Sequence, residues 1–228
     1  MYLRISPAMV AASLGLFSLG CQPPKYAVYS SIHGDFRCSV PWGWKVMTDE
    51  EGTHYANTTF LGPFDPEFYL GLPTLSVRWF SYAEPHRLPD GVLEMYTSSG
   101  DYIRQILRNV YGPKPIMRQK AHEIFVAGRK ARHFVVLSAV EVPPQTQWGT
   151  AIEAKTNKLV NLREHAYVVL PLKTGFYVLI YPATREGFSL YESQFNVMVN
   201  TFEPLKEGPA GPPIKPVPSA PAPKKIFR

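Results

Sequence analysis

The chain has 228 residues, 45% of them hydrophobic, which excludes an intrinsically disordered protein and allows one domain with a substantial core. Its formal net charge of +6 is unevenly distributed, because Arg4 and the basic residues after position 207 account for most of the excess. The remainder is close to neutral. This argues against a nucleic-acid-binding domain, since such domains concentrate lysine and arginine on one face.

The first twenty residues have the organisation of a secretory signal: a basic n-region, an apolar run and small residues before a cleavage site. The apolar run from Ile5 is too short to cross a bilayer, which takes roughly 20 apolar residues. It ends in Ser18-Leu19-Gly20-Cys21, which is similar to a bacterial lipobox with leucine one place later than usual. We therefore predict a lipoprotein signal peptide over residues 1–20 and acyl chains, palmitate among them, on Cys21. An ordinary cleaved signal followed by an unmodified cysteine is the alternative.

Acylation of Cys21 predicts stable attachment to a membrane. Each buried methylene contributes about 0.8 kcal/mol, so one acyl chain binds reversibly whereas several chains hold firmly. Gln22 follows the cysteine, at the position where aspartate commonly retains bacterial lipoproteins in the inner membrane. The sequence therefore favours the cell envelope, at the periplasmic face of the outer membrane.

Composition divides the mature chain into three parts. Residues 21–31 are polar and contain prolines, which predicts a tether between the lipid and a globular domain over residues 32–206. Residues 207–228 are rich in proline, alanine, glycine and lysine, which predicts an extended tail that buries no core. The tail ends in a basic and aromatic sequence that is a candidate contact for a protein partner, with Lys224, Lys225 and Phe227 as its main side chains.

The domain is predicted to open with a strand and a tight turn. Apolar and polar side chains alternate over residues 36–40, so we expect a half-buried strand in which Cys38 is a small buried residue rather than a reactive thiol. The proline and glycine of residues 41–44 indicate a turn after it. One or both of Trp42 and Trp44 are expected to pack over the edge of the sheet, and ligand binding is the alternative for them.

Two further strands are predicted over residues 55–61 and 75–80, from their apolar alternation. The loop between them, residues 63–73, is unusually aromatic and contains Phe64, Phe68 and Tyr69. So many aromatic side chains in a loop indicate either a lid packed on the body or an exposed apolar contact surface.

The clearest helix is predicted over residues 98–111. Ser98 or Ser99 can cap its N-terminus, where Asp101 complements the helix dipole. Apolar residues then recur on one stripe, and Gly112 with Pro113 ends the helix.

The second half of the domain is predicted to contain two hairpins and a final helix. The first hairpin covers residues 116–142 with its turn at 128–130, and a long excursion is expected over residues 143–162. The second joins two nearly continuous apolar runs, which predicts central strands. A helix over residues 186–202 carries apolar side chains at helical spacing and should lie across the sheet. This order predicts the α+β class, with an antiparallel β-sheet covered by helices.

In this order of elements the chain resembles the PsbP-like family. The matching features are the strand and turn from Phe36 to Trp44, the strand after Leu72-Pro73, the helix over 98–111, the turn from Gly128 to Ala131, and the final helix ending in Thr201-Phe202. The resemblance spans roughly residues 30–205. It implies a sheet flanked by helices and a structural or assembly role, since the family includes an extrinsic photosystem subunit and many bacterial lipoproteins. No residue set here matches the ion-linked role of that subunit.

The mature sequence contains none of the common catalytic motifs. It has no G-x-S-x-G, H-E-x-x-H, C-x-x-C or G-x-G-x-x-G pattern, and its six histidines lack metal-ligand spacing. His122 and His133 are expected to face each other across the first hairpin, as polar-face residues rather than as a metal site. We therefore predict a protein that is not an enzyme and needs no cofactor or metal.

The first functional hypothesis is a membrane-anchored envelope lipoprotein that serves as a binding or assembly module for a protein complex. The alternatives are a small-ligand-binding domain, whose pocket would use the aromatic loop and the two tryptophans, and an enzyme of unrecognised type.

Overall fold

A computed structural model describes residues 25–48, 57–64, 72–87, 93–142, 150–152 and 157–207. Within these ranges the chain forms two helices, α1 (Ser99–Asn109) and α2 (Phe188–Thr201), and thirteen strands. The strands are β1 (Tyr26–Ser30), β2 (Phe36–Pro41), β3 (Lys45–Thr48), β4 (Asn57–Leu61), β5 (Thr74–Ser81), β6 (His86–Arg87), β7 (Leu93–Glu94), β8 (Ile116–Val126), β9 (Arg129–Glu141), β10 (Thr150–Ile152), β11 (Leu159–Pro171), β12 (Gly175–Thr184) and β13 (Glu203–Pro204).

The main sheet has the order β3-β4-β5-β12-β11-β9-β8, and β10 pairs with the start of β11. Every pairing in it is antiparallel. A smaller sheet of order β1-β2-β13 packs on one face, and β6 pairs with β7. The predicted α+β class, with an antiparallel sheet covered by helices, is confirmed.

Both faces of the main sheet are buried, which explains the continuous apolar run of β12. Successive side chains of a strand point to opposite faces. Tyr177 and Leu179 therefore join a core with α2 and β2, whereas Phe176 and Val178 join a second core under α1. The position of β12 at the centre of the sheet confirms the prediction of a central strand.

Helix α1 begins and ends where the sequence predicts. The Ser98 hydroxyl accepts a hydrogen bond from the Asp101 amide at 3.0 Å, and the Asp101 carboxylate accepts one from the Thr97 amide at 3.2 Å. The first bond satisfies a backbone donor that the first turn of a helix leaves free, and the second ties the residue before the N-cap to the same turn. Beyond the C-terminus, Gly112 has a φ of +82°, a conformation that favours glycine.

Three predicted boundaries were wrong. Residues 26–30, placed in the tether, form strand β1, because Tyr29 packs its ring against Phe36 and Phe60 at centroid distances of 6.0 and 5.0 Å. The excursion expected over residues 143–162 is shorter, since β11 already begins at Leu159 and β10 pairs with it. Glu207, placed in the tail, is bonded to the domain.

Cys38 is the buried apolar residue that the alternation predicts. Its side chain lies in the core under α2 with 1% of its surface exposed. Burial raises the pKa of the Cys38 thiol to about 12.

We expect Cys38 to resist alkylation by iodoacetamide at pH 8 in the folded protein, because the thiolate is the reactive form and burial disfavours it. Denaturation in urea should make it react readily. Peptide mapping by mass spectrometry separates Cys38 from Cys21, and rapid labelling of Cys38 in the native protein would contradict its assignment to the core.

Candidate functional site at one end of the sheet

Three of the aromatic residues predicted as a binding surface lie at the same end of the main sheet. Lys45 of β3 pairs with Leu61 of β4, and Leu61 pairs with Thr74 of β5. The start of β3, the end of β4 and the start of β5 are therefore side by side. We call the surface formed there by Trp42, Trp44, Phe64 and Leu72 the aromatic end.

The turn before β3 points one tryptophan outward. Gly43 has a φ of +81°, which lets the chain turn sharply between the two tryptophans. The Trp42 amide donates a hydrogen bond to the Lys25 carbonyl oxygen at 3.1 Å, so the turn is held beside the first described residue. Trp42 is 56% exposed.

Trp44 packs inward, as expected for a residue that covers the sheet edge. Its ring lies 5.8 Å from that of Tyr191 on α2, measured between centroids. Gly62 lies directly against the same ring, because a Cβ atom there would be 2.9 Å from Cε2 and Cζ2 of Trp44. The indole thus closes the core at this end. Trp42 does not share this role.

The aromatic loop starts and ends at this surface. The Gly62 amide donates to the Pro73 carbonyl oxygen at 2.8 Å, which joins the two ends of residues 63–73. Phe64, near the start of the loop, is 76% exposed, and Leu72, near its end, is 37% exposed. The other predicted binding or lipidation residues lie outside the described ranges: Cys21, Phe68, Tyr69, Lys224, Lys225 and Phe227.

The last described residues are fixed at the opposite end of the sheet. The Leu205 amide donates to the Asp35 carbonyl oxygen at 2.7 Å, in the turn between β1 and β2. The Glu207 carboxylate accepts from the Lys173 amide at 2.9 Å, in the turn between β11 and β12. Since β5 runs from one end to the other over eight residues, roughly 25 Å separate the two ends.

A buried carboxylate organises the β1–β2 turn, and no motif in the sequence marked it. Asp35 is fully buried, and its carboxylate accepts hydrogen bonds from the Ser31 hydroxyl and, at 2.6 Å, from the Tyr177 hydroxyl. Burial first, and then the nearby Asp35 charge, raise the pKa of Tyr177. The one signal available was an acidic residue directly before an alternating strand.

A second polar cluster lies between α1 and the sheet. The Tyr111 hydroxyl hydrogen-bonds to Nδ1 of His165 and, at 2.7 Å, to the Tyr167 hydroxyl. Burial and the nearby Arg163 lower the pKa of His165 to about 4, and burial raises the pKa of Tyr111. At neutral pH Tyr111, His165 and Tyr167 are therefore uncharged, and Arg163 and Arg78 are charged groups near them.

The histidine pair of the first hairpin lies where the sequence predicts. His122 and His133 are cross-strand partners with ring centroids 5.2 Å apart. Burial, and less strongly His122, lower the pKa of His133. In the part of the chain that the structure describes, no cluster of three or more histidine, cysteine or acidic side chains is arranged to hold a metal ion.

Two of the cavities formed by described residues are lined by none of the predicted aromatic residues. One, of about 410 Å³, lies at the start of α2 beside the Arg118–Glu164 ion pair. The other, of about 520 Å³, lies beside the β8–β9 turn and the end of α2.

Within the described ranges, neither helix has the length and apolar character needed to span a bilayer.

No protein-family model matches the chain, and no curated protein sequence matches it. Similar solved structures include cyanobacterial PsbP (CyanoP) from Synechocystis, with 12% identity over 81% of this chain and 95% of that one, at a TM-score of 0.48. A protein from Bacteroides thetaiotaomicron has 12% identity over 81% of this chain and 50% of its own, at a TM-score of 0.42. LpqN, involved in cell envelope biogenesis of Mycobacterium tuberculosis, has 13% identity over 78% of this chain and 88% of its own, at a TM-score of 0.39. A PsbP protein is thus among the similar structures. At these identities and TM-scores, binding and activity do not carry over.

Proposed function

We propose that the chain is a lipid-anchored, non-enzymatic envelope protein that holds a binding or assembly module beside a bilayer and presents its tail to a protein complex. The observation that carries this proposal is the position of the two termini of the described domain. Lys25 is bonded to Trp42 at the aromatic end, and Glu207 is bonded to Lys173 at the opposite end.

In this arrangement the N-terminal segment lies beside the membrane and the C-terminal tail starts away from it. With acyl chains on Cys21, the aromatic end stays close to the membrane, because only three residues separate Cys21 from Lys25. The tail after Glu207 then starts on the side of the domain that faces away from the bilayer. Its seven prolines favour an extended chain, which can reach a partner that the domain itself does not touch.

A binding role also suits the polar groups of the described domain. The Asp35 carboxylate is fully enclosed by its hydrogen-bond donors, and the Tyr111–His165–Tyr167 cluster is packed under α1. Neither places an activated nucleophile beside a base at an open surface, the arrangement that covalent catalysis uses. The proposal locates the protein at the periplasmic face of the outer membrane.

The proposal is tested by crosslinking in intact cells, with the full chain compared with a variant that ends at residue 207. We expect both to fractionate with the outer membrane and only the full chain to crosslink to its partner complex. A mass measurement on the extracted protein reports acylation of Cys21 directly. A tail variant with Lys224 and Lys225 replaced by alanine separates the charge of the tail from its length.

Two results would count against the proposal in different ways. Identical crosslinked partners with and without residues 208–228 would remove the tail from the function. An extracted protein with an unmodified Cys21 would remove the anchor. A Cys21→Ser variant provides the control for fractionation, and we expect it to leave the membrane fraction.

A further inference from the structure

The aromatic end lies within a short, fixed reach of the proposed lipid anchor. Four Cα–Cα steps lead from Cys21 to Lys25, and an extended chain covers at most roughly 14 Å over that number. The Lys25 carbonyl oxygen then accepts the Trp42 amide at 3.1 Å. An acylated Cys21 therefore holds the Trp42 turn next to the bilayer. Rotation of the domain cannot move the aromatic end far from the membrane.

We infer that the aromatic end is a lipid-contact surface, in which Trp42 and Phe64 lie in the headgroup region of the bilayer that holds Cys21. This inference rests on the proposed acylation, but it concerns a separate contact made by the folded domain.

The exposed side chains at this end have the chemistry of a membrane interface. Tryptophan is enriched at that depth, because its ring combines an apolar body with a polar N–H. Trp42 and Phe64 are both mostly exposed, although apolar packing is available to their neighbour Trp44. Two exposed lysines, Lys25 and Lys45, flank the Trp42 turn and suit anionic lipid headgroups.

The short connection also favours lipid over a folded protein as the occupant of this surface. A gap of at most roughly 14 Å is about half the diameter of a small domain, which is about 30 Å. A globular partner therefore does not fit between the aromatic end and the bilayer. The surface roughly 25 Å away, where Lys173 and Glu207 lie, has no such restriction.

The test uses the acylated protein reconstituted into vesicles of phosphatidylethanolamine and phosphatidylglycerol, with and without brominated acyl chains. Bromine quenches indole fluorescence only at short range, so it reports tryptophans that lie in the bilayer. The chain has four tryptophans, and Trp42→Phe isolates the contribution of one. We expect this variant to lose most of the quenching, whereas the matched control Trp79→Phe, at a position only 4% exposed, should keep it.

A second variant tests the other half of the surface. In the Trp42→Phe background, Phe64→Trp should restore quenching by brominated lipid. Quenching by iodide in the aqueous phase gives the complementary measurement. On vesicles, an indole in the headgroup region should be shielded from iodide. In the Cys21→Ser variant, which is in solution without vesicles or detergent, the same indole should be accessible.

The outcomes separate this inference from the proposal on which it rests. If Cys21 is acylated but bromine quenches the wild type and Trp42→Phe equally, the lipid contact is wrong and the anchor stands. If Trp42 remains open to iodide on vesicles, the aromatic end faces water and the inference is also wrong. If Cys21 is unmodified, the anchor and the inference fail together.

Discussion

Replacing Gly175 with alanine should lower the free energy of unfolding by more than about 3 kcal/mol, or prevent folding altogether. Gly175 begins β12 and pairs with Ser81 at the end of β5. A Cβ atom there would lie 2.1 Å from the Phe80 carbonyl oxygen and 2.5 Å from Cζ2 of Trp79. The first contact is to the backbone of a central strand, so no side-chain rotation relieves it.

Urea unfolding followed by circular dichroism measures this effect. The matched control is Gly100→Ala in the first turn of α1, where a Cβ would meet its nearest heavy atoms at 3.8 Å. Alanine exceeds glycine in helix propensity by up to about 1 kcal/mol, so this control should be neutral or slightly stabilising. Equal midpoints for the two variants would contradict the close approach of β12 to β5.

The Tyr177→Phe substitution should lower the free energy of unfolding by about 1.5–3 kcal/mol, the range for a hydrogen bond to a charged group. The Tyr177 hydroxyl donates to the Asp35 carboxylate at 2.6 Å, and Asp35 is fully buried, out of contact with bulk water. Loss of this hydrogen bond should also loosen the β1–β2 turn. Among the described residues, the Ser31 hydroxyl would then be the one side-chain donor left to the Asp35 carboxylate.

The control for this prediction removes a similar hydroxyl from a neutral acceptor. Tyr181 lies four residues further along the same strand, and its hydroxyl donates to the Phe188 carbonyl oxygen at 2.8 Å. Tyr181→Phe should therefore cost about 1 kcal/mol, the usual value for a neutral pair. An equal loss in the two variants, measured by urea unfolding, would show that the Asp35 charge adds nothing at this position.

Elements with a strong local pattern were predictable from the sequence. The alternation in β2, the capped start of α1 and the apolar runs of β11 and β12 each contain their own signal, since neighbouring residues determine it. Cys38 is buried as its place in that alternation indicates. These elements were sufficient to predict an antiparallel α+β domain.

The remaining features depend on contacts between distant residues, which local patterns do not contain. Strand β1 is short and follows two prolines, so its partner β2 and the ring of Phe60 decide its conformation. The Asp35–Tyr177 bond joins residues 142 positions apart. Trp42 and Phe64 were both candidates from composition, but only the pairing of Lys45 with Leu61 places them at one end of the sheet.

The positions of the two termini also determine how the domain would carry mechanical load. A pull between the membrane and a tail-bound partner would act along the length of β1, β2 and β13, because Lys25 and Leu205 lie at opposite ends of this small sheet. Force in that direction shears the inter-strand hydrogen bonds together instead of opening them one at a time. The Arg37–Glu203 ion pair, at 2.6 Å, crosses the same junction between β2 and β13. The fold is thus oriented to resist tension transmitted from one terminus to the other.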